Sequence, residues 1–345
     1  SAKERLGSDQ NPSRSENPGL ARPVSPMIAP MPAPTWYRDW VRAGLAVNDL
    51  PVFFIGGCQK SGTTWLQHLL NAHPAVCCAG EGHLADLLAP ALQQAMAAYN
   101  QRQSQRAAGL GVLLRNEDHF GAVKMLADRI LAGYVAGSPD PRAIRAVGDK
   151  TPEHALGFSA LKEFYPGGRF IHIIRDGRDA CISGWFHLRR QGKAGKFATL
   201  ADYADYFAEH HWVRYIPAAR SAATAMPDRY LEMRYESLHA DPAGETRRLL
   251  QFLQVESSDE AVAACVEGGS FEKLAGGRQR GEEDASSFFR KGTVGDWREH
   301  LDAEAIARFE QKAGSLLTEL GDAVSPRPEA ITVPMTRSAS AARPQ

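Results

Sequence analysis

The stretch PVFFIGGCQKSGTTWLQHLL, residues 51–70, decides the fold. A short apolar run ends in glycines, and Leu66, Leu69 and Leu70 then recur at helical spacing, so the stretch reads as strand, loop and helix. Gly57 and Gly62 have the spacing of a phosphate-binding loop of the form G-x-x-x-x-G-K-[ST]. The residue after Gly62, however, is Thr63, and the lysine has moved ahead to Lys60. In nucleoside triphosphatases the lysine reaches the β and γ phosphates and the next hydroxyl holds Mg2+. Here Lys60 approaches the anion from the other side. The N–H groups of residues 60–64 at a helix N-terminus, with the hydroxyls of Ser61, Thr63 and Thr64, still cradle one phosphate-like group. No carboxylate stands ready for magnesium, because Asp176 comes directly after Arg175. The loop reads as built for an anion handled by lysine, without a metal.

Two more units of the same kind follow. In GRFIHIIRDGRDACISGWFHLRR, residues 168–190, the apolar run from Phe170 to Ile174 stops at Arg175 and a helix follows Gly177. In RYLEMRYESL, residues 229–238, a strand ends near Tyr235, ahead of a helix opened by Pro242 and carrying Leu249, Leu250, Phe252 and Leu253. Repeated strand-then-helix units predict an α/β fold with a central parallel sheet flanked by helices. Ligands of such sheets sit at the carboxyl ends of the strands, where these three loops converge. Helical periodicity over 83–135 (Leu84, Leu87, Leu88, Leu92; Met125, Leu126, Ile130, Leu131) predicts an inserted helical cap over the acceptor side. A last helix carries Ile306, Phe309, Ala313, Leu316, Leu317 and Leu320 on one face and ends at Gly321.

The ends read differently. Residues 1–34 hold seven prolines and no periodicity, and 322–345 are similar, so both are expected as disordered tails around one domain over 35–321. Forty basic residues balance forty acidic ones, which excludes an overall field drawing the chain onto nucleic acid or an anionic membrane. Five cysteines without a C-x-x-C pair fit reduced thiols in a cytoplasmic enzyme. No apolar run approaches the roughly 18 residues of a membrane span.

QKSGTTWL resembles the 5′-phosphosulfate loop of sulfotransferases, which move a sulfuryl group from 3′-phosphoadenosine 5′-phosphosulfate (PAPS) to an acceptor. Their donor needs no magnesium and places one lysine on the sulfate bridge. IIRDGRDACISGW resembles the family's 3′-phosphate segment, which implies Arg175 and Ser183 as ligands. FFRKGTVGDW, residues 288–297, resembles the family's R-K-G-x-x-G-D-W loop, which adds Arg290, Lys291 and the N–H of Gly292. MRYESL resembles the stretch whose tyrosine meets adenine, which assigns Tyr235, with Trp65 against the base. The resemblance covers roughly residues 50–320 and implies a P-loop-like sulfotransferase architecture. Charge-assisted bonds from two arginines and a lysine, each worth about 1.5–3 kcal/mol, suffice to separate this donor from ATP.

For the transfer itself, Lys60 fits the bridging oxygen of the leaving phosphate. GDKTPEH resembles a K-[ST]-P stretch of members acting on polysaccharides and tyrosine, which places Lys150 on the sulfate oxygens. Cytosolic members carry a catalytic histidine in K-T-H-x-P, but here Pro152 follows Lys150 and Thr151. CCAGEGHLADL instead resembles the glutamate site of the polysaccharide and tyrosine members, which makes Glu81 the base and His83 the runner-up. A free carboxylate of pKa ~4.3 is a weak base toward a hydroxyl, whereas an imidazole of ~6.5 is closer to neutrality. The implied reaction is in-line sulfuryl transfer to a hydroxyl or amine, releasing 3′,5′-ADP, with a small-molecule, lipid, sugar or peptide acceptor. Its rivals are a P-loop kinase or ATPase, and a nucleotide-binding protein that transfers nothing.

Overall fold

The computed structural model describes residues 35–105 and 111–324. Five parallel strands form one sheet: β1 (Val52–Gly56), β2 (Val76–Ala79), β3 (Ala146–Lys150), β4 (Arg169–Ile174) and β5 (Tyr230–Arg234), in the order β2-β3-β1-β4-β5. β1 is central and buried along its whole length, which is why its sequence is continuously apolar instead of alternating. Its side chains divide between two cores. Phe54 joins Val147, Phe158 and Phe170 on one face, while Phe53 and Ile55 join Leu66, Leu69 and Ile171 on the other. Each such side chain stabilises the fold by about 1.5–3 kcal/mol through burial.

The helices that matter for the site are α1 (Thr35–Leu45), α2 (Thr63–Asn71), α3 (Ala89–Ser104), α4 (Asn116–Ala136), α5 (His154–Phe164) and α6 (Gly177–Arg190). α2, α5 and α6 each follow a strand of the sheet, as crossover connections require. β3 had no clear signal in the sequence, because its residues are AVGDK and two of its five are charged. The order of the sheet places it between β2 and β1 regardless, with Ile55 paired to Lys150.

Helices do occupy the segment between β2 and β3, but they do not roof the acceptor side. α4 packs on α1, α3 and the β2–β3 edge, and no described residue of 84–136 lines the cavity at the strand ends. The insertion is a lateral buttress, because the apolar residues of α4 (Val123, Ala127, Leu131) pack into the core on that side.

The tail expected over 1–34 lies outside the described residues. Of the one expected over 322–345, the described residues 322–324 are held: Arg234 pairs with Asp322 at 2.8 Å and Arg178 donates to the Ala323 carbonyl at 2.7 Å; the rest lies outside the described residues. No helix among the described residues is long and apolar enough to cross a membrane.

Candidate active site

A cavity of about 520 Å3 opens where β1, β4 and β5 end, between the loop before α2, the start of α6 and the segment 288–293. Every residue expected to bind the donor lies on its wall except Ser61 and Lys150. The Ser61 N–H donates to the Cys58 carbonyl at 3.0 Å, and its hydroxyl is buried without a partner. Of the expected cradle, Gly62, Thr63 and Thr64 remain on the wall, at the open end of α2. Gly62 caps α2 at φ 106°, and a Cβ there would stand 2.7 Å from the Tyr235 ring, so only glycine serves.

Lys60 also adopts left-handed backbone, at φ 70°. His83 does so at φ 48°, and the two account for all but one of the described non-glycine residues of this kind. Such strain persists where surrounding structure enforces it, and both residues face this cavity. The Lys60 ammonium lies 4.2 Å from the centre of the Phe288 ring. Burial, followed by the charges of Arg190, Arg175 and Lys150, pushes the ammonium down to about 8.

An aromatic slot adjoins the cradle. Trp65 and Tyr235 stand with ring centres 5.2 Å apart, and the Trp65 indole donates to the Gly269 carbonyl at 2.8 Å. Phe271 and Arg280 complete the slot, and neither was anticipated. The Arg280 guanidinium lies 5.1 Å from the Trp65 ring centre and 5.9 Å from that of Phe271, and it donates to the Gly292 carbonyl at 2.9 Å. No local motif marks them; Phe271 only opens a one-turn helix capped by Ser270.

At the far end the cations gather. Arg175 is buried and donates to the carbonyls of Thr293 (3.0 Å) and Lys60 (3.4 Å), while its Nε and the Thr293 hydroxyl are buried without partners. Lys291 reaches Asp296 at 2.8 Å, and Arg290 bonds the same carboxylate. Asp179 accepts from the N–H groups of Gly295 (2.7 Å) and Trp297 (2.9 Å), docking this loop onto α6. Ser183 lines the same end. Three cations and two orphaned polar atoms, one a donor and one a hydroxyl, fit a phosphate dianion.

The other end holds the candidate transfer groups. Lys150 donates to Glu81 at 2.5 Å, buried behind the wall instead of lining it, so its ammonium serves the glutamate in this structure. Glu81 Oε2 lies 3.8 Å from His83 Nε2, and His83 Nδ1 bonds Asp86 at 2.8 Å. That bond, against some burial, holds the imidazole above its ordinary value. The turn is fixed from beneath by Asp149, fully buried, which accepts from the Gly82 N–H (2.9 Å), Tyr134 (2.8 Å) and Thr151 (2.7 Å). A Cβ at Gly82 would stand 2.5 Å from the Asp149 carboxylate. His154 is wholly buried, 3.4 Å from Asp149, and takes no place on the wall. His187 does, and burial followed by the charges of Lys60, Arg190 and Lys193 pushes it down to about 4. His83, Asp86 and Glu153 bring one ligand atom each within 4.8 Å of one another, a spacing that a cation could accept.

The model described as "Sulfotransferase family" matches residues 51–259. Cytosolic sulfotransferase 16 of Arabidopsis thaliana is 31% identical over 165 residues, 42% of this chain and 49% of that protein. Protein-tyrosine sulfotransferase 1 of Danio rerio is 28% identical, over 62% of this chain and 56% of that one. The chain thus spans about half the length of the curated relatives it matches. Among solved structures, a mouse sulfotransferase complexed with PAP aligns over 82% of this chain and 95% of its own, with 16% identity and a TM-score of 0.49.

Proposed function

Because the chain belongs to the sulfotransferase family, we propose that it transfers a sulfuryl group from PAPS to an acceptor hydroxyl or amine, without a metal. One observation carries this reading: a single cavity joins the Lys60 cradle, the Trp65–Tyr235 slot, the Arg175–Arg290–Lys291 cluster and, at its mouth, Glu81. When bound, the donor supplies the sulfuryl group, whose bond to the 5′-phosphate oxygen breaks as one to the acceptor forms.

The chain's own groups have separate tasks. Arg175, Ser183, Arg290, Lys291 and the Gly292 N–H hold the 3′-phosphate, and Trp65, Tyr235, Phe271 and Arg280 enclose the base. Gly62, Thr63 and Thr64 hold the 5′ end. Lys60 offers a cation to the departing bridging oxygen, and its lowered affinity for a proton suits it to surrender one there. Glu81 takes the acceptor's proton, with His83 as the neighbour able to receive it and Lys150 fixing the carboxylate. A kinase or ATPase would need a lysine where Thr63 stands. Five free, buried cysteines fit the cytoplasmic setting we assign.

Calorimetric titration with 3′,5′-ADP, with and without EDTA, and separately with Mg-ATP, tests the reading. Binding of the bisphosphate in EDTA upholds it; binding of Mg-ATP alone overturns it.

A further inference from the structure

Away from the donor cavity, a second cavity of about 360 Å3 opens between α1 and α4, and no residue lines both. Its apolar wall is formed by Trp40, Val41 and Leu45 from α1 and Met125 from α4. Leu45 and Met125 are exposed, so the rest of the described chain does not cover this wall. Gly121 lines the cavity too, in the interior of α4, where glycine costs a helix about 1 kcal/mol against alanine. A Cβ built there would meet nothing within 4 Å, so packing against the described chain does not demand the glycine. What it preserves is open space.

The polar side of the cavity is unevenly matched. Lys124 holds Asp128 at 2.5 Å and Asn48 at 2.8 Å, and Asp128 also accepts from Tyr165 at 2.9 Å, so that ion pair is complete. Arg129, the next residue on the wall, has no such answer. Its Nε is buried without a partner, no described carboxylate pairs with it, and its guanidinium lies 5.8 Å from the centre of the Trp40 ring. Residues 17–34, which lead into α1, contain no carboxylate either. A guanidinium presents five donors in a planar fork that matches a carboxylate, and a buried donor left unsatisfied costs about 1–3 kcal/mol. An anion answers Arg129, and the wall beside it calls for an apolar body on that anion.

We propose that this cavity binds a small amphipathic carboxylate, its head group on the Arg129 fork and its body along Trp40, Val41, Leu45 and Met125. The head group supplies the orphaned Nε–H with a charge-assisted bond, and the body withdraws the exposed wall from water. At the ~30 Å3 that a water molecule takes in the liquid, the space suits about a dozen non-hydrogen atoms. Medium-chain fatty acids and fused-ring aromatic acids of that size share this chemistry.

The test is calorimetric titration of the whole chain, with and without 3′,5′-ADP. The probes are octanoate and 2-naphthoate, each beside its neutral primary amide. At least one acid should bind on the order of ten- to a hundredfold more tightly than its amide, equally in the presence and absence of 3′,5′-ADP. Which acid binds names the body. Arg129→Gln should bring the acid down to the affinity of its amide and leave the amide unchanged. Gly121→Leu should fill the space and abolish binding of both, and should unfold in urea no earlier than the parent, because leucine favours a helix. Neither residue lines the donor cavity, so both variants should keep the parent's affinity for 3′,5′-ADP. Equal binding of acid and amide, a preference that survives either variant, or displacement of the acid by 3′,5′-ADP overturns the proposal. So does binding of neither acid, the result expected if a second copy or another stretch of the chain sits on this wall.

Discussion

Lys150 and Glu81 meet at 2.5 Å, although they lie 69 residues apart in the chain and only the glutamate reaches the cavity wall. The ammonium holds one carboxylate oxygen, which leaves the other to face His83. Glu81→Gln keeps the shape but cannot take a proton. Turnover, followed as 3′,5′-ADP release, should fall roughly 10²–10⁴-fold while affinity for 3′,5′-ADP stays nearly unchanged. Full activity would move the proton acceptor to another group.

The pH dependence of turnover should report His83. Asp86, Glu153 and Glu81 face this imidazole, and the Asp86 bond raises its hold on a proton. Protonated His83 cannot receive a proton, so the acid limb of the profile should lie above the ordinary histidine value of ~6.5. Asp86→Asn should shift that limb to lower pH. A limb that does not move in this variant would show that His83 does not set it.

Lys60 sets a second pH effect, on binding. Its ammonium loses a proton at about 8 in the folded protein, and an anion at the cradle favours the charged form. Affinity for 3′,5′-ADP should therefore be flat below that pH and fall above it, by at most tenfold per pH unit. Lys60→Met should bind more weakly at pH 7 and lose the slope, as read by calorimetry at several pH values.

Lys291→Ala should weaken 3′,5′-ADP by roughly ten- to a hundredfold, the worth of one charge-assisted contact of about 1.5–3 kcal/mol. AMP, which lacks the 3′-phosphate, should bind the variant and the parent alike. An equal loss for both nucleotides would place Lys291 elsewhere on the donor.

Tyr134→Phe removes one of three donors to a buried carboxylate and should cost about 1–3 kcal/mol of stability by urea unfolding. Turnover should fall as well, since the turn carrying Glu81 and His83 rests on Asp149. Binding of 3′,5′-ADP, at the other end of the cavity, should not change.

What the sequence made legible was what is local. A phosphate cradle needs glycine, hydroxyls and a lysine within a few residues of a helix start, so Lys60, Gly62, Thr63 and Thr64 declare themselves by spacing. Arg175 and the pair Arg290–Lys291 likewise sit in compact motifs, and all reach one wall. What stayed hidden is assembled across the chain. Gly82 and Asp149 lie 67 residues apart, Tyr134 comes from an insertion, and Arg280 meets Trp65 through a loop without periodicity. β3 escaped for a related reason: its charged end is buried by contacts that only the assembled sheet supplies, with Asp149 and Lys150 spent beneath the turn that carries Glu81 and His83.

The phenol of Tyr134 gives the insertion a consequence for engineering. α3 and α4 look like a module that could be exchanged between relatives to alter the surface without touching the chemistry. One hydroxyl on α4 nevertheless bonds the carboxylate beneath the turn that carries Glu81 and His83. A chimera that replaces 84–136 without a hydroxyl at that position would leave Asp149 short of a donor, and the graft would be felt at Glu81 before it was felt by any acceptor.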